Sequence, residues 1–196
     1  MQAFILRITP GGKKLGDDRT IWSRDNNKIS IGWSYLTGLE NLTDSELKTE
    51  ITSQESVYND NKTHINHIYN TFQLFINRMQ IGDIIIIPQP SKNGHDGTNL
   101  HVVKVLSDIK YNSEFNGIGC SYYRDAEWSP NVIKWRTSPY NSTIKKDISL
   151  NLMRHMWKPE ILRKTLTGPH QEFISEFIEL YEKCNQKLKI EFNYNF

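Results

Sequence analysis

The chain has 196 residues, of which 37% are hydrophobic and 23% are charged, and its formal net charge is +2. This composition supplies enough apolar material for one core and excludes wholesale disorder. The longest apolar run, residues 84–87, is far shorter than the roughly 20 residues of a membrane span. The weak positive charge excludes a protein that coats nucleic acid by bulk charge alone.

The cysteine count and the N-terminus indicate where the protein works. Cys120 and Cys184 are too few for a disulfide scaffold or an all-cysteine zinc site. Residues 1–7 lack a basic region followed by an apolar stretch, so we expect no secretion signal. Together these observations predict a reducing, cytoplasmic setting with no membrane partner.

The first third of the chain combines short strands with polar connections. Residues 3–9 read as a strand that ends at the turn 10–12, and residues 13–18 read as a charged loop. Residues 29–33 alternate apolar and small side chains, as a half-buried strand does. Within the polar stretch 40–62, the order Thr-Asp-Ser-Glu at 43–46 is typical of a helix start.

The central region holds the clearest helix and a hairpin. Apolar side chains in residues 64–79 follow the spacing of one helical face. A turn at 81–83 leads into the apolar strand 84–87, and residues 100–106 form a second strand after a Gly/Asn/Asp-rich turn at 91–98. These two strands predict a hairpin with a long loop.

The last third begins with an irregular, aromatic stretch at 111–128. Residues 131–136 alternate again and predict a strand, and residues 148–156 and 169–189 predict helices. Because strands outnumber the helices that connect them, a doubly wound parallel sheet does not fit. We predict an α+β fold, a small mixed or antiparallel β-barrel with flanking helices and a C-terminal helix.

Sequence motifs for catalysis and metal binding are missing. The chain has no nucleophile elbow, no phosphate-binding P-loop and no dinucleotide fingerprint. His64 and His67 are three residues apart on a helix, but no third ligand follows at a recognised spacing. We therefore assign no catalytic residue, no metal and no cofactor.

Several tryptophans fall outside ordinary core patterns. Trp22 stands next to Ser-Arg-Asp-Asn-Asn, and Trp128 lies in the loop-like stretch 125–130. Trp33 and Trp135 sit on predicted strands and are also compatible with a core position. Aromatic rings that converge from different elements stack on a flat base or enclose a methylated group.

The order of these segments resembles the PUA-like superfamily, and within it the EVE and YTH-type domains. The resemblance covers roughly residues 3–166. The matching stretches are Thr-Ile-Trp-Ser at 20–23, Ile-Ser-Ile-Gly-Trp at 29–33, the helix running into Gly-Asp and an apolar strand at 79–88, the strand 101–106, and Val-Ile-Lys-Trp-Arg at 132–136.

This resemblance implies a small β-barrel that receives a modified base in an aromatic pocket. By this resemblance, Trp22 would form one wall of the pocket and Ser23 would contact the base. Trp33 would be a second aromatic residue of the pocket, followed by Ser34. The other wall would come from the loop before the last strand. The candidates for that wall are Tyr122, Tyr123 and Trp128. Basic side chains suited to phosphates are Arg124, Lys134, Arg136, Lys145 and Lys146.

The resemblance also implies partners and a division of the chain. Residues 1–166 would form the base-reading domain, and residues 167–196 a helical extension that docks on the barrel or leads to an effector. The expected partner is modified DNA, with RNA as the alternative. The expected context is prokaryotic antiviral defence, in which the domain supplies specificity to an effector nuclease or NTPase, fused or separate.

Two other classes of function remain open from the sequence. The first is a small PUA-like nuclease or nucleotide hydrolase that uses Asp83, Lys104, Tyr123 and Arg124. The second is an interaction module whose aromatic cleft binds a peptide or small ligand. Affinity for nucleic acid that falls steeply with salt separates base reading from this last class.

Overall fold

A computed structural model describes residues 1–8, 13–56, 61–88, 99–134, 148–156, 158 and 164–192. The predicted turns at 10–12 and 91–98 lie outside these residues, as do the tryptophans at 135 and 157. The predicted strand 131–136 is described only as far as residue 134.

Short strands in this part of the chain make one mixed sheet that curls into a half-barrel. Their bounds are β1 Ala3–Leu6, β2 Lys28–Ile31, β3 Ile84–Pro88, β4 Asn99–Val105, β5 Lys110–Tyr111, β6 Tyr122–Trp128, β7 Ile133–Lys134 and β8 Leu166–Thr167. The main order is β2-β6-β4-β3-β1-β8, while β5 pairs with β6 and β7 with β4. β1 and β3 are parallel, and the other pairs are antiparallel.

Helices flank this sheet, so the α+β prediction is confirmed. Their bounds are α1 Lys13–Asp25, α2 Asp44–Ser56, α3 Lys62–Gln73, α4 Leu150–Met156 and α5 Ile174–Phe192. α3 continues into a π-helical turn at Leu74–Arg78, and 3-10 helices span Ser113–Ile118 and Gln171–Phe173. α2 begins at the predicted cap, where the Thr43 N–H donates to the Glu46 carboxylate over 2.9 Å.

The inner face of the half-barrel packs against α2 and α3. Because side chains alternate along a strand, every second residue of β1, β3 and β4 enters this core. α3 contributes Phe72 and the π-helical turn contributes Phe75, both fully buried. The predicted helix 64–79 and the predicted β3–β4 hairpin are both confirmed.

The outer face is covered in part by α4 and α5. Ile84 and Ile86 of β3 pack there against Met153 of α4 and Phe177 of α5. The C-terminal helix therefore docks on the sheet through its predicted apolar face. β8 pairs with β1 and spans the predicted boundary between residues 166 and 167, so the two predicted parts share one sheet and one outer core.

Two predicted elements are wrong. Residues 13–18, predicted as a charged loop, are the first half of α1. Residues 111–128, predicted as irregular, contain a short strand, a 3-10 helix and β6. In β6 the buried inward position at 124 holds an arginine, which hides the apolar alternation that would otherwise mark a strand.

Across the described ranges, every helix is too short or too polar to cross a membrane.

Candidate nucleic-acid interface

Trp22 lies on α1, close to its C-terminal end, rather than in a loop. Asn26 closes the last turn of the helix, since its backbone N–H and its side-chain amide both donate to the Trp22 carbonyl, over 3.0 and 2.8 Å. Asn27 then adopts a left-handed conformation with φ of 51°. The Trp22 ring is half-buried and meets the Phe115 ring edge to face, with centroids 4.9 Å apart.

Phe115 is carried by the 3-10 helix Ser113–Ile118. Asn112 caps that helix, since its side-chain oxygen accepts from the Glu114 N–H over 2.9 Å. The helix ends at Gly119, whose φ is 70° and where the Arg19 side chain occupies the space that a Cβ would need. Arg19 Nε donates to the Ile118 carbonyl over 2.7 Å and so ties α1 to this helix.

Tyr123 completes a group of three rings that we call the outer-face cluster: Trp22, Phe115 and Tyr123. Phe115 also contacts the Tyr123 ring, at 5.5 Å between centroids. Tyr123 is half-buried and lies on the outer face of β6, opposite to the buried Tyr122. Both contacts are edge to face, which is the arrangement that aromatic quadrupoles favour. The cluster occupies the part of the outer face next to β2, while α4 and α5 pack on β3 and β4.

Basic side chains border the outer-face cluster. The Lys28 ammonium lies 4.9 Å from the centroid of the Tyr123 ring and 3.2 Å from the Asp125 carboxylate. Lys110 forms a short ion pair with the same carboxylate. These contacts, first the hydrogen bond from Lys110 and then that from Lys28, hold the pKa of Asp125 below its usual range. These three groups beside Tyr123, two lysines and one carboxylate, include one more positive than negative charge.

Ser23 lies beneath this cluster and is fully buried. Its hydroxyl is 3.2 Å from that of Ser30, which in turn donates to the Cys120 sulfur over 3.1 Å. Burial raises the pKa of the Cys120 thiol. Ser23 thus bonds inside the fold and is not exposed to a ligand at the surface.

Trp33 and Ser34 lie elsewhere, at the end of β2. Trp33 has a positive φ of 62°, a strained conformation for a bulky residue, and its ring contacts His67 at 5.5 Å. Ser34 Oγ accepts from the Ser121 N–H over 3.3 Å. His67 Nε2 is also 3.3 Å from Thr165 Oγ1, so it links the β2 end of the sheet to the β8 end.

Tyr122 and Trp128 belong to the inner face. Tyr122 is fully buried, its hydroxyl accepts from the Leu39 N–H over 3.3 Å, and burial raises its pKa. Trp128 Nε1 donates to the Lys28 carbonyl over 3.0 Å, and its ring contacts His101. Burial lowers the pKa of His101 to about 4. The seven predicted pocket residues therefore divide between two faces, and Trp22 and Tyr123 share the outer cluster.

Arg124 is a structural residue, contrary to its predicted place on a basic rim. Its side chain is 1% exposed, and its guanidinium donates to the carbonyls of Phe75, Ile76 and Ser107 over 2.7 to 3.1 Å. A phosphate at the surface does not reach a group that is enclosed in this way. The side chain of Lys134 and the residues Arg136, Lys145 and Lys146 lie outside the described part of the chain.

Three of the four residues named for the enzyme alternative, Asp83, Arg124 and Lys104, are engaged in contacts within the fold. Asp83 is fully buried and accepts from the backbone N–H groups of Gln2 and Gln80 over 2.6 and 2.7 Å. The Lys104 ammonium lies over the Tyr181 ring of α5, 5.9 Å from its centroid. The carboxylate and the guanidinium thus hold backbone groups in place, and the lysine faces the C-terminal helix.

Sequence reasoning missed Phe115, Lys28 and Lys110. The capping order Asn-Ser-Glu at 112–114 is a local signal for a short helix that presents Phe115. The cross-strand pairing of Lys28 with Asp125 needs the register of β2 on β6, which local sequence does not supply.

A family model matches residues 8–151, and its description is Domain of unknown function (DUF8426). The chain belongs to this family. The DUF8426 match spans all three residues of the outer-face cluster together with β2 and β6, and it stops before β8 and α5. No curated protein and no solved structure matches the chain.

Proposed function

We propose that this DUF8426 chain is a nucleic-acid-binding module that takes a modified base, methylated in the first instance, at the outer-face cluster. The observation that carries the proposal is the convergence of three partly exposed rings from three separate elements. A soluble domain ordinarily buries such rings in its core, whereas this group lies on the outer face with lysines beside it. Stacking on aromatic rings contributes about 1–3 kcal/mol per base.

Phe115 fills the space that the base would use. Its ring contacts both Trp22 and Tyr123 and lies between them. The 3-10 helix that carries it has no buried side chain, so the Phe115 ring can rotate with little loss of packing while Arg19 keeps the helix tied to α1. We infer that the base displaces the Phe115 ring and stacks against Trp22 and Tyr123, while a base substituent contacts the displaced ring.

Lys28 and Lys110 would meet the phosphates beside the flipped or unpaired base. Phosphate contacts position the nucleic acid without reading its sequence. Arg124 is left out of this role, and Lys134, Arg136, Lys145 and Lys146 stay predictions. The half-barrel is compatible with a PUA-like domain. Three further parts of the proposal rest on the sequence resemblance: a place in antiviral defence, modified DNA as the natural partner, and an effector nuclease or NTPase.

The test is fluorescence anisotropy with short oligonucleotides, single- and double-stranded DNA and RNA, either unmodified or carrying N6-methyladenine, 5-methylcytosine or 5-hydroxymethylcytosine. We expect tighter binding to one modified base. Trp22→Ala and Tyr123→Ala each remove a stacking surface and should weaken that binding about 5- to 150-fold. Phe115→Ala opens the cluster but removes the ring that the base substituent contacts, so affinity for the unmodified base should be equal or higher and the preference for the modified base should fall.

Tyr35→Ala is the matched control, because Tyr35 is 50% exposed on a different element and bonds to Glu55. It should leave affinity unchanged. Equal binding to all oligonucleotides, with Trp22→Ala indistinguishable from Tyr35→Ala, would contradict the proposal. Affinity that does not change with salt concentration would instead indicate that the cluster binds a peptide or small ligand, because phosphate contacts make affinity fall with salt.

A further inference from the structure

A second group of side chains meets where α4 ends and the 3-10 helix Gln171–Phe173 begins. His155 is in the last turn of α4, His170 precedes the 3-10 helix, and Glu172 lies within it. One donor atom from each of the three residues lies within 4.8 Å of the other two. His155 Nε2 and His170 Nδ1 are 3.1 Å apart. All three residues lie beyond the region that the DUF8426 family covers.

His170 is held in one orientation by the surrounding fold. Its backbone N–H donates to the Ala3 carbonyl over 2.8 Å, which fixes it beside β1. Its Nε2 is 3.0 Å from Thr167 Oγ1, which leaves Nδ1 to face His155. A metal-ligating histidine usually bonds through its second nitrogen in this manner, because that bond fixes both tautomer and ring orientation.

His155 is also held in place, by contacts between rings. Its ring contacts those of His170 and Phe173, at 4.7 and 4.9 Å between centroids, and its side chain is 12% exposed. Glu172 is 58% exposed, and one of its carboxylate oxygens is 4.0 Å from His155 Nδ1. The histidines are therefore set in place, while the carboxylate is free to turn about its side-chain bonds toward a bound ion.

We propose that His155, His170 and Glu172 bind one divalent transition-metal ion, for which Zn²⁺ is the best match. Two nitrogens that each lie about 2.0–2.1 Å from one tetrahedral ion are about 3.3 Å apart. The observed separation of 3.1 Å fits that spacing with little movement. Two imidazoles and a carboxylate are a donor set that Zn²⁺ accepts, and they leave a fourth position for water or a ligand oxygen.

The place of this group in the fold indicates what the ion would do. It connects the end of α4 to the segment that enters α5, and through His170 it reaches β1 and β8. His170 also lines a cavity of about 320 Å³ beside α3, together with Asn70, Gln73 and Lys164. An ion here would connect α4 to α5 on the outer face. Its ligands are far in sequence from the residues of the outer-face cluster.

The test is titration of the untagged, chelator-treated chain with Zn²⁺ followed by calorimetry, and with Co²⁺ followed by visible absorption. We expect one ion per chain, Co²⁺ bands of a four-coordinate site, and a higher thermal midpoint with Zn²⁺. His155→Gln and Glu172→Gln should each weaken binding at least about 10-fold, and Thr167→Val, which removes the bond to His170, should weaken it by about 10-fold.

His64→Gln is the matched control, since His64 lies 3.1 Å from a Glu55 oxygen in a separate histidine–carboxylate pair. It should bind as tightly as the unchanged chain. Glu172 is exposed, so Glu172→Gln keeps the test informative if a histidine variant fails to fold. Absence of stoichiometric binding would overturn the proposal in favour of a neutral, hydrogen-bonded histidine pair. Equal binding by Glu172→Gln and the control would also overturn it.

Discussion

Replacing Arg124 with methionine is expected to lower the free energy of unfolding by about 3–5 kcal/mol, because several buried carbonyls lose a charged donor and each unsatisfied group costs about 1–3 kcal/mol. The Arg124 guanidinium bonds to three backbone carbonyls. Two of these, from Phe75 and Ile76, belong to the π-helical turn that ends α3, where the last carbonyls of a helix lack partners within the helix. Methionine fills similar space but leaves those carbonyls unsatisfied.

Urea unfolding followed by circular dichroism measures this effect. Arg78→Met is the control, because Arg78 is 56% exposed and pairs with Asp44 at the surface. Exposed ion pairs of this kind contribute about 0–1 kcal/mol. A loss in Arg124→Met no larger than that in Arg78→Met would show that the carbonyls find other partners and that Arg124 does not cap the turn.

Replacing Asp83 with alanine is expected to lower the free energy of unfolding by about 2–4 kcal/mol. Its carboxylate accepts from the Gln2 and Gln80 N–H groups and so ties the start of β1 to the turn before β3. Hydrogen bonds to a charged group contribute about 1.5–3 kcal/mol each, and the N–H groups of Gln2 and Gln80 lose this partner.

The same unfolding measurement, with Asp25→Ala as control, separates a structural role from a catalytic one. Asp25 is 57% exposed and pairs with Arg24, so its removal should change stability by less than about 0.5 kcal/mol. An Asp83→Ala chain as stable as Asp25→Ala would contradict the structural role. It would also return Asp83 to consideration as a reactive carboxylate.

The elements that sequence reasoning predicted well are those whose burial follows a simple period. α3 has an apolar face at helical spacing, and β3 is a continuous apolar run because both of its faces are covered. The start of α2 was predicted from a capping signal, which acts within four residues. In these places local pattern and tertiary packing agree.

The missed elements bury polar groups. α1 turns Thr20 and Ser23 inward and leaves Ile21 44% exposed, so its pattern does not indicate a helix that packs on a sheet. β6 places Arg124 in the core, where the guanidinium is satisfied by carbonyls from residues 48 and 49 positions earlier. Such partners come from tertiary structure, and no local rule anticipates them.

The candidate site was predicted in part for the same reason. Trp22 and Tyr123 were named from their residue type and from the resemblance, but which strand face each ring takes depends on register. Trp33 and Tyr122 pack against the inner core instead. Phe115 was missed because its short helix is recognisable only through its Asn112 cap.

The most direct test of base reading at the outer-face cluster follows the indole N–H signals of the five tryptophans by nitrogen-15 NMR during titration with the preferred modified oligonucleotide. Single Trp→Phe variants assign each signal. We predict that the Trp22 signal moves most, while that of Trp128, whose indole N–H bonds to the Lys28 carbonyl, keeps its position. Saturating binding that leaves the Trp22 signal in place, or that moves the Trp33 and Trp128 signals instead, would contradict the account and place the base on the inner face.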